Sequence, residues 1–164
     1  MKIIKMTPES KNLNKKEYDT LFYVLKKMRE GGVSNIPETD IDKLFEREDS
    51  YLVVDYDENE NFLGLFAIQI YDDEDDGKDC YVNIAYSEKR MSGIFKGLLE
   101  YTEKILPKEI NENYGTISFG VYTRNDIMRT VMDRVGCAED KYAFFLDDAI
   151  LYRKEIKKEE IINE

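Results

Sequence analysis

Hydrophobic residues recur along the chain with two periods, and the switches between them sketch the elements. A short apolar start, "MKIIKM", reads as a first strand. In "NKKEYDTLFYVLKKMREGG" the residues Tyr18, Leu21, Phe22, Leu25 and Met28 fall on one helical face, and Gly31-Gly32 supply the stop. "PETDIDKLFERE" opens on Pro37 and acids, which predicts a shorter second helix. The pattern then becomes that of strands. "SYLVVDY" and "NFLGLFAIQIY" flank the polar hairpin loop "DENEN", and "CYVNIAY" follows the acidic loop "YDDEDDGKD". From there "YSEKRMSGIFKGLLEY" passes through a basic turn into a helix whose stripe is Ile94, Phe95, Leu98, Leu99, Ile105 and Leu106, with Pro107 expected to close it.

After "KEINENYG", "TISFGVY" predicts another strand. "NDIMRTVMDRVG" predicts a helix with Asn125 as N-cap and Ile127, Met128, Val131, Met132 and Val135 turned inward. "KYAFFLD" and "AILYRKEI" read as two closing strands, and the charged tail "KKEEIINE" as a frayed end. The order β-α-α-β-β-β-α-β-α-β-β describes a mixed α/β fold of about seven strands and four helices. A single domain is expected over residues 1–156, with the tail at 157–164. The late helical crossovers call for parallel pairing there, and the middle hairpins for an antiparallel run.

Composition narrows the function. The 164 residues are 42% hydrophobic and 12% aromatic, which is globular despite 36% charge. Tyr18, Phe22, Tyr51 and Phe66 repeat at packing periods and read as core. A net charge of −11 argues against nucleic acid and favours cationic partners, either an amine substrate or a basic protein. No apolar run approaches the roughly 20 residues of a membrane span, and the start is too short for a signal peptide. The expected location is therefore the cytoplasm, or a particle such as a virion assembled there. The absence of histidine removes Ser-His-Asp and Cys-His catalysis and the commonest metal ligand. Cys80 and Cys137 are too few for a disulfide framework or a zinc site, and Cys137 reads as a core thiol.

Two stretches carry candidate chemistry. Asp72, Glu74, Asp76 and Gly77 imitate the first places of a calcium loop, but Asn83 stands where a bidentate glutamate belongs and strands replace the flanking helices. A solvated hairpin tip is expected there, and no metal. The second stretch is the turn before the long helix. Helix N-termini expose unpaired N–H groups and attract phosphate when the turn leaves room. Gly93 follows a strand and opens the helix, with Lys89, Arg90 and Lys96 nearby. Taken alone, this is either a phosphate cradle or an ordinary strand-to-helix turn.

"EKRMSGIFKGLLEYTEKIL" resembles the acetyl-coenzyme A motif of the GCN5-related N-acetyltransferases, Arg/Gln-x-x-Gly-x-Gly/Ala leading into a helix, with Arg90 first and Gly93 fourth. "ISFGVYTRNDIMRTVMDRVGC" is similar to the second signature of that family, with Asn125 and Gly136 in register. The resemblance covers most of the chain. It implies an acyl-CoA N-acyltransferase-like fold with a partly splayed sheet, and transfer of acetyl from acetyl-CoA to an amine of a small molecule or protein by direct attack. It also implies sites. Arg90, Met91, Ser92, Gly93, Ile94, Phe95 and Lys96 would hold the pyrophosphate. Asn83, Ile84, Ala85 and Tyr86 would line the pantetheine arm, and Asn125 would bond it from the other side. Only if this implied fold sets the acidic loop beside an acceptor pocket would the loop's acids recruit an ammonium group, with Glu74 or Asp79 relaying a proton.

The chain departs from the family pattern at two chemical positions. Phe95 replaces the sixth-position glycine or alanine; its ring either blocks the site or turns inward to join the apolar stripe. Met132 occupies the usual tyrosine position, so the ordinary acid for the leaving thiolate is missing; Tyr101, Tyr122, Tyr142 or water would have to serve. An alternative function follows from these departures: a catalytically silent protein of this fold used as a binding or assembly subunit, as a homo-oligomer or in a phage particle.

Overall fold

The computed structural model describes residues 1–31, 49–73, 77–89, 93–110, 115–140 and 149–156. In chain order the elements are β1 (Lys2–Lys5), α1 (Pro8–Leu13), α2 (Lys15–Glu30), β2 (Ser50–Tyr56), β3 (Phe62–Asp73), β4 (Gly77–Ser87), α3 (Ile94–Ile110), β5 (Thr116–Tyr122), α4 (Asp126–Arg134), β6 (Ala138–Glu139) and β7 (Ala149–Glu155). The seven strands form one open, mixed sheet in the order β1-β2-β3-β4-β5-β7-β6. Pairing is antiparallel throughout except between β4 and β5, where α3 makes the crossover.

Strand alternation divides the core into two layers. Tyr51, Val53, Phe66, Ile68, Cys80, Val82, Ile117 and Phe119 face α3 and α4, meeting Leu98, Leu99, Leu106 and Met132. Leu52, Val54, Leu65, Ala67 and Ile84 face α2, meeting Leu21, Val24 and Leu25. Gly64 lets α3 lie close to the sheet, since a Cβ there would stand 2.7 Å from both the Tyr86 carbonyl oxygen and Ile94 Cγ2.

Several expectations are corrected. A helix over Pro8–Leu13 was not foreseen; Thr7 and Ser10 close a reciprocal capping box at its start. The buried stripe of α2 runs through Glu17, Leu21, Val24 and Leu25, rotated away from Phe22, which is 43% exposed. Glu17 is buried because Lys2 pairs with it at 3.0 Å, tying β1 to α2. Pro107 does not end α3. The helix continues to Ile110, since a proline one turn from the end forgoes only one backbone bond, and the Glu103–Lys154 ion pair at 2.8 Å holds that turn to β7. Ile127 is half exposed, because α4 buries the adjacent stripe of Met128, Val131 and Met132. The strands flanking the acidic loop run further into it than expected, to Asp73 and from Gly77. A two-residue β6 was also missed. The second helix "PETDIDKLFERE", the strand "KYAFFLD" and the tail lie outside the described residues.

Gly64→Ala is expected to lower stability by about 1–3 kcal/mol in urea unfolding, because one of the two colliding atoms, the Tyr86 carbonyl oxygen, is backbone and cannot rotate away. A change below a few tenths would show that β3 and β4 can shift apart there, and α3 with them, to admit the methyl group.

Candidate functional site

The site is built where two parallel strands part. β4 and β5 pair over only four positions, from Asp79↔Thr116 to Val82↔Phe119, although β4 runs on to Ser87 and β5 to Tyr122. The cause is local. Against β3, Val82 pairs with Ile68 and Ile84 with Ala67, so Asn83 is an extra residue, a β-bulge. A bulge bends its strand and sharpens the twist. It also shifts the alternation: Val82 faces α3, yet Ile84 faces α2. Among the described residues the β4 edge facing β5 therefore has no ladder partner beyond Val82. The Asn83 Nδ2 is buried there without a hydrogen-bond acceptor.

The foot of the gap is held on both faces. On the α2 face the Asp79 carboxylate accepts bonds from the Thr116 hydroxyl at 2.6 Å and the Ser118 hydroxyl at 2.8 Å. All three residues are buried. Charge-assisted bonds of this kind are the stronger class, and here they lock the parallel register. Asp79 is thus a brace between strands, not an exposed proton relay. On the α3 face Phe95 packs its ring 5.1 Å from Phe66 and 5.6 Å from Phe119, centroid to centroid. The ring of Phe95 is turned inward, anchoring the start of α3 above the last paired residues. It does not stand where a ligand would meet the helix amides.

Gly93 adopts φ +80°, a conformation that costs a residue with a Cβ roughly 1–2 kcal/mol, and a Cβ there would meet nothing within 4 Å. The first helical bond runs from the Gly97 N–H to the Gly93 carbonyl at 2.9 Å. The N–H groups of Ile94, Phe95 and Lys96 therefore have no partner within the helix. No acid lies in the first turn of α3, and the exposed Lys96 beside it pairs with Glu100 one turn on at 3.8 Å, so the positive end is chiefly that of the helix amides. Arg90, Met91, Ser92 and Glu74 lie outside the described residues, as does Tyr142.

Across the gap, Asn125 caps α4 by accepting from the Met128 N–H at 3.1 Å. Met132 is wholly buried in the core under α3 and α4. Tyr122 ends β5 with the Arg124 guanidinium 4.4 Å from its ring centre, while Tyr101 packs against the core on α3. Two features escaped sequence reasoning. The bulge is one, and its signal was an asparagine in a strand of otherwise β-favouring residues. The other is a polar-aromatic face next to the gap, formed by Gln69, Tyr71 and Tyr81, for which hairpin register was needed.

Neither a family model nor a curated protein sequence matches this chain. Solved structures do. An acetyltransferase of the GNAT family from Staphylococcus aureus Mu50 superposes with a TM-score of 0.66 at 16% identity, covering 95% of this chain and 99% of that one. Tetrahymena GCN5 gives 0.63 at 15% identity, covering 95% and 96%. Arabidopsis thaliana NAA60, solved in complex with acetyl-CoA, gives 0.61 at 14% identity, covering 94% and 98%. The fold is that of the GCN5-related N-acetyltransferases. This GNAT fold spans the chain from β1 to β7. Among the described residues no helix is long and apolar enough to cross a membrane.

Burial raises the acids that a thiol or phenol mechanism would use. The Cys80 thiol is pushed well above 9.0, and Cys137 rises to about 11. Tyr56 and Tyr86 rise from 10.0 to about 12, each chiefly by burial and then by a neighbouring glutamate, Glu17 and Glu88 respectively. Folding thus favours the protonated forms. Their contribution to stability is complete below the unfolded values near 9 and 10 and is lost as pH rises through about 11 to 12. Unfolding free energy should be flat to pH 9 and fall from there toward 12, and a thiol reagent at pH 8 should label neither cysteine until urea is added. Labelling of the native chain would contradict this burial.

Proposed function

We propose that the chain is an acetyl-CoA-dependent N-acyltransferase. The observation that carries the reading is the parting of β4 from β5 beyond Val82 and Phe119, with the orphaned Asn83 amide at the gap and the open Gly93 turn at its end. These residues fit the cofactor's two halves. The unpaired edge of Asn83, Ile84, Ala85 and Tyr86 offers a strand-like partner to an amide-bearing arm, and Asn83 Nδ2 offers a donor. The N–H groups of Ile94, Phe95 and Lys96 suit a diphosphate, with Arg90, Met91 and Ser92 expected in the same turn and Lys96 adding charge. Asn125 faces the arm from α4 in this reading. Bound there, acetyl-CoA supplies an activated acetyl thioester for direct transfer to an amine.

The chain's own part is mainly positional. A backbone N–H of the β4 edge polarises the acetyl carbonyl, which is the larger contribution in acyl transfer. Met132 offers no proton, so protonation of the leaving sulfur falls to Tyr122 or water. General acid catalysis is commonly worth roughly 10²–10⁴-fold, so its weakening slows turnover without abolishing it. The buried Met132 favours a second reading, a silent protein of this fold that binds a partner; the inward Phe95 removes the other reason for it.

Calorimetry with acetyl-CoA is expected to give one site, with a dissociation constant somewhere in the ordinary range of about 1 μM to 1 mM. Gly93→Ala should cost about 1–2 kcal/mol of backbone strain, read as a lower melting temperature where the turn keeps its shape and as roughly tenfold weaker acetyl-CoA binding where the turn relaxes to escape it. No heat at millimolar ligand would end the proposal. Binding without amine-dependent release of coenzyme A thiol would select the silent reading.

A further inference from the structure

We infer that the acceptor is an alkyl diamine or polyamine whose second, non-reacting ammonium sits on the Tyr71–Tyr81 wall of the α2 face, above the buried Asp79 carboxylate; this rests on the acyl-transfer reading above.

Register places the wall. Gln69 lies opposite Tyr81, and Tyr71 opposite Asp79, on the paired strands β3 and β4. Asp79 lies beside Thr116 and Tyr81 beside Ser118 on β5. Ile68, Cys80, Val82, Ile117 and Phe119 face α3, so these alternate residues share the opposite face. That face is apolar under α2 but turns polar and aromatic beside the gap. The Tyr71 and Tyr81 rings meet edge to face at 6.3 Å, and the Tyr71 hydroxyl donates to Gln69 Oε1 at 2.6 Å.

Charge gives the ligand's sign. Asp79 is 8% exposed and has hydroxyl partners, yet no described residue forms an ion pair with it. Arg153, opposite Ser118 on β7, pairs instead with Asp140 at 3.3 Å. Lys78, the residue before Asp79, pairs with Asp72 at 3.4 Å. A buried carboxylate without a counter-ion projects negative potential through its low-dielectric surroundings. The neighbouring Tyr81 hydroxyl is held protonated chiefly by burial and then by Tyr71 and Tyr122, with Asp79 adding the least. Tyrosine faces add their own attraction for cations, and the neighbouring Tyr122 already carries the Arg124 guanidinium over its ring.

Geometry asks for two nitrogens. The attacking nitrogen must be neutral to use its lone pair: its bond to the acetyl carbon forms, the carbon–sulfur bond breaks, and one N–H proton passes to the departing sulfur. The charge that the wall recognises therefore belongs to another nitrogen. The level of Asp79 lies three residues before the last paired residue, Val82, which is about 10 Å at roughly 3.3 Å per residue. A spacer of about seven methylenes covers that distance, in a long free diamine or polyamine or in a lysine side chain with a neighbouring cation.

The test compares 1,7-diaminoheptane, spermidine, a lysine peptide and butylamine by coenzyme A thiol release. A kcat/KM for diamine at least tenfold above that for butylamine is expected, with added salt eroding the difference. Free diamine above the lysine peptide supports the assignment; the reverse overturns it in favour of a protein acceptor. Tyr71→Ala, at a ring that is 46% exposed and so safe for folding, should raise KM for diamine with kcat little changed. Tyr81→Phe, which keeps the ring, should leave KM within about twofold. Acetyl-CoA binding, followed by calorimetry, separates the two failures. If acetyl-CoA binds but diamine is no better than butylamine, the cation seat is overturned and acyl transfer stands. If acetyl-CoA does not bind, the acceptor assignment falls with the acyl-transfer reading.

Discussion

The parting of β4 from β5 is the feature on which the rest of the structure turns. Two parallel strands that began in register would ordinarily continue so, satisfying each other's backbone groups. Here one extra residue, Asn83, turns β4 away after four pairs. The resulting gap is costly in unpaired backbone and one buried amide donor, and it persists because its foot is fixed from both sides. Asp79 joins the strands through two hydroxyls, while Phe66, Phe95 and Phe119 seal the opposite face. Sites that hold strain or unmet polar groups in this way are commonly functional.

The same four pairs separate two chemistries. Residues facing α3 and α4 are apolar almost without exception, so this layer holds α3 at a fixed height and its first amides at the gap's open end. Alternate residues on the α2 face are acidic, hydroxylic and aromatic. In the acyl-transfer reading, one face of a short parallel ladder positions the donor and the other receives the acceptor. A strand period of two is sufficient to separate them. The substitution at Met132 fits this picture, since that position lies within the apolar layer and a methionine there serves packing.

Much of the fold was legible because periodicity reports burial. The strands β2 to β5, helix α2, the start of α3 and the Asn125 cap were read from alternation, stripes and turn residues. The errors have physical sources. Helix α1 has six residues, too short for a period, although "TPES" carried its cap. Phe22 and Ile127 lie at the margins of their stripes, and a stripe gives a face without giving its centre. Pro107 was taken as a stop because the rule concerns helix interiors, not the last turn. The inward turn of Phe95 was one of two open alternatives, and only Phe66 and Phe119, distant in sequence, decide it. The Asp79 brace joins residues 37 and 39 apart, and the tyrosine wall needs a hairpin register. No local pattern encodes such partners.

The account stands most directly on where coenzyme A would meet the chain. An amide-resolved NMR titration with coenzyme A should shift Ile94, Phe95 and Lys96 at the opening of α3 together with Asn83 to Tyr86 along the parted strand, saturating at one equivalent. Saturable shifts confined to other surfaces, or none at millimolar ligand, would contradict it.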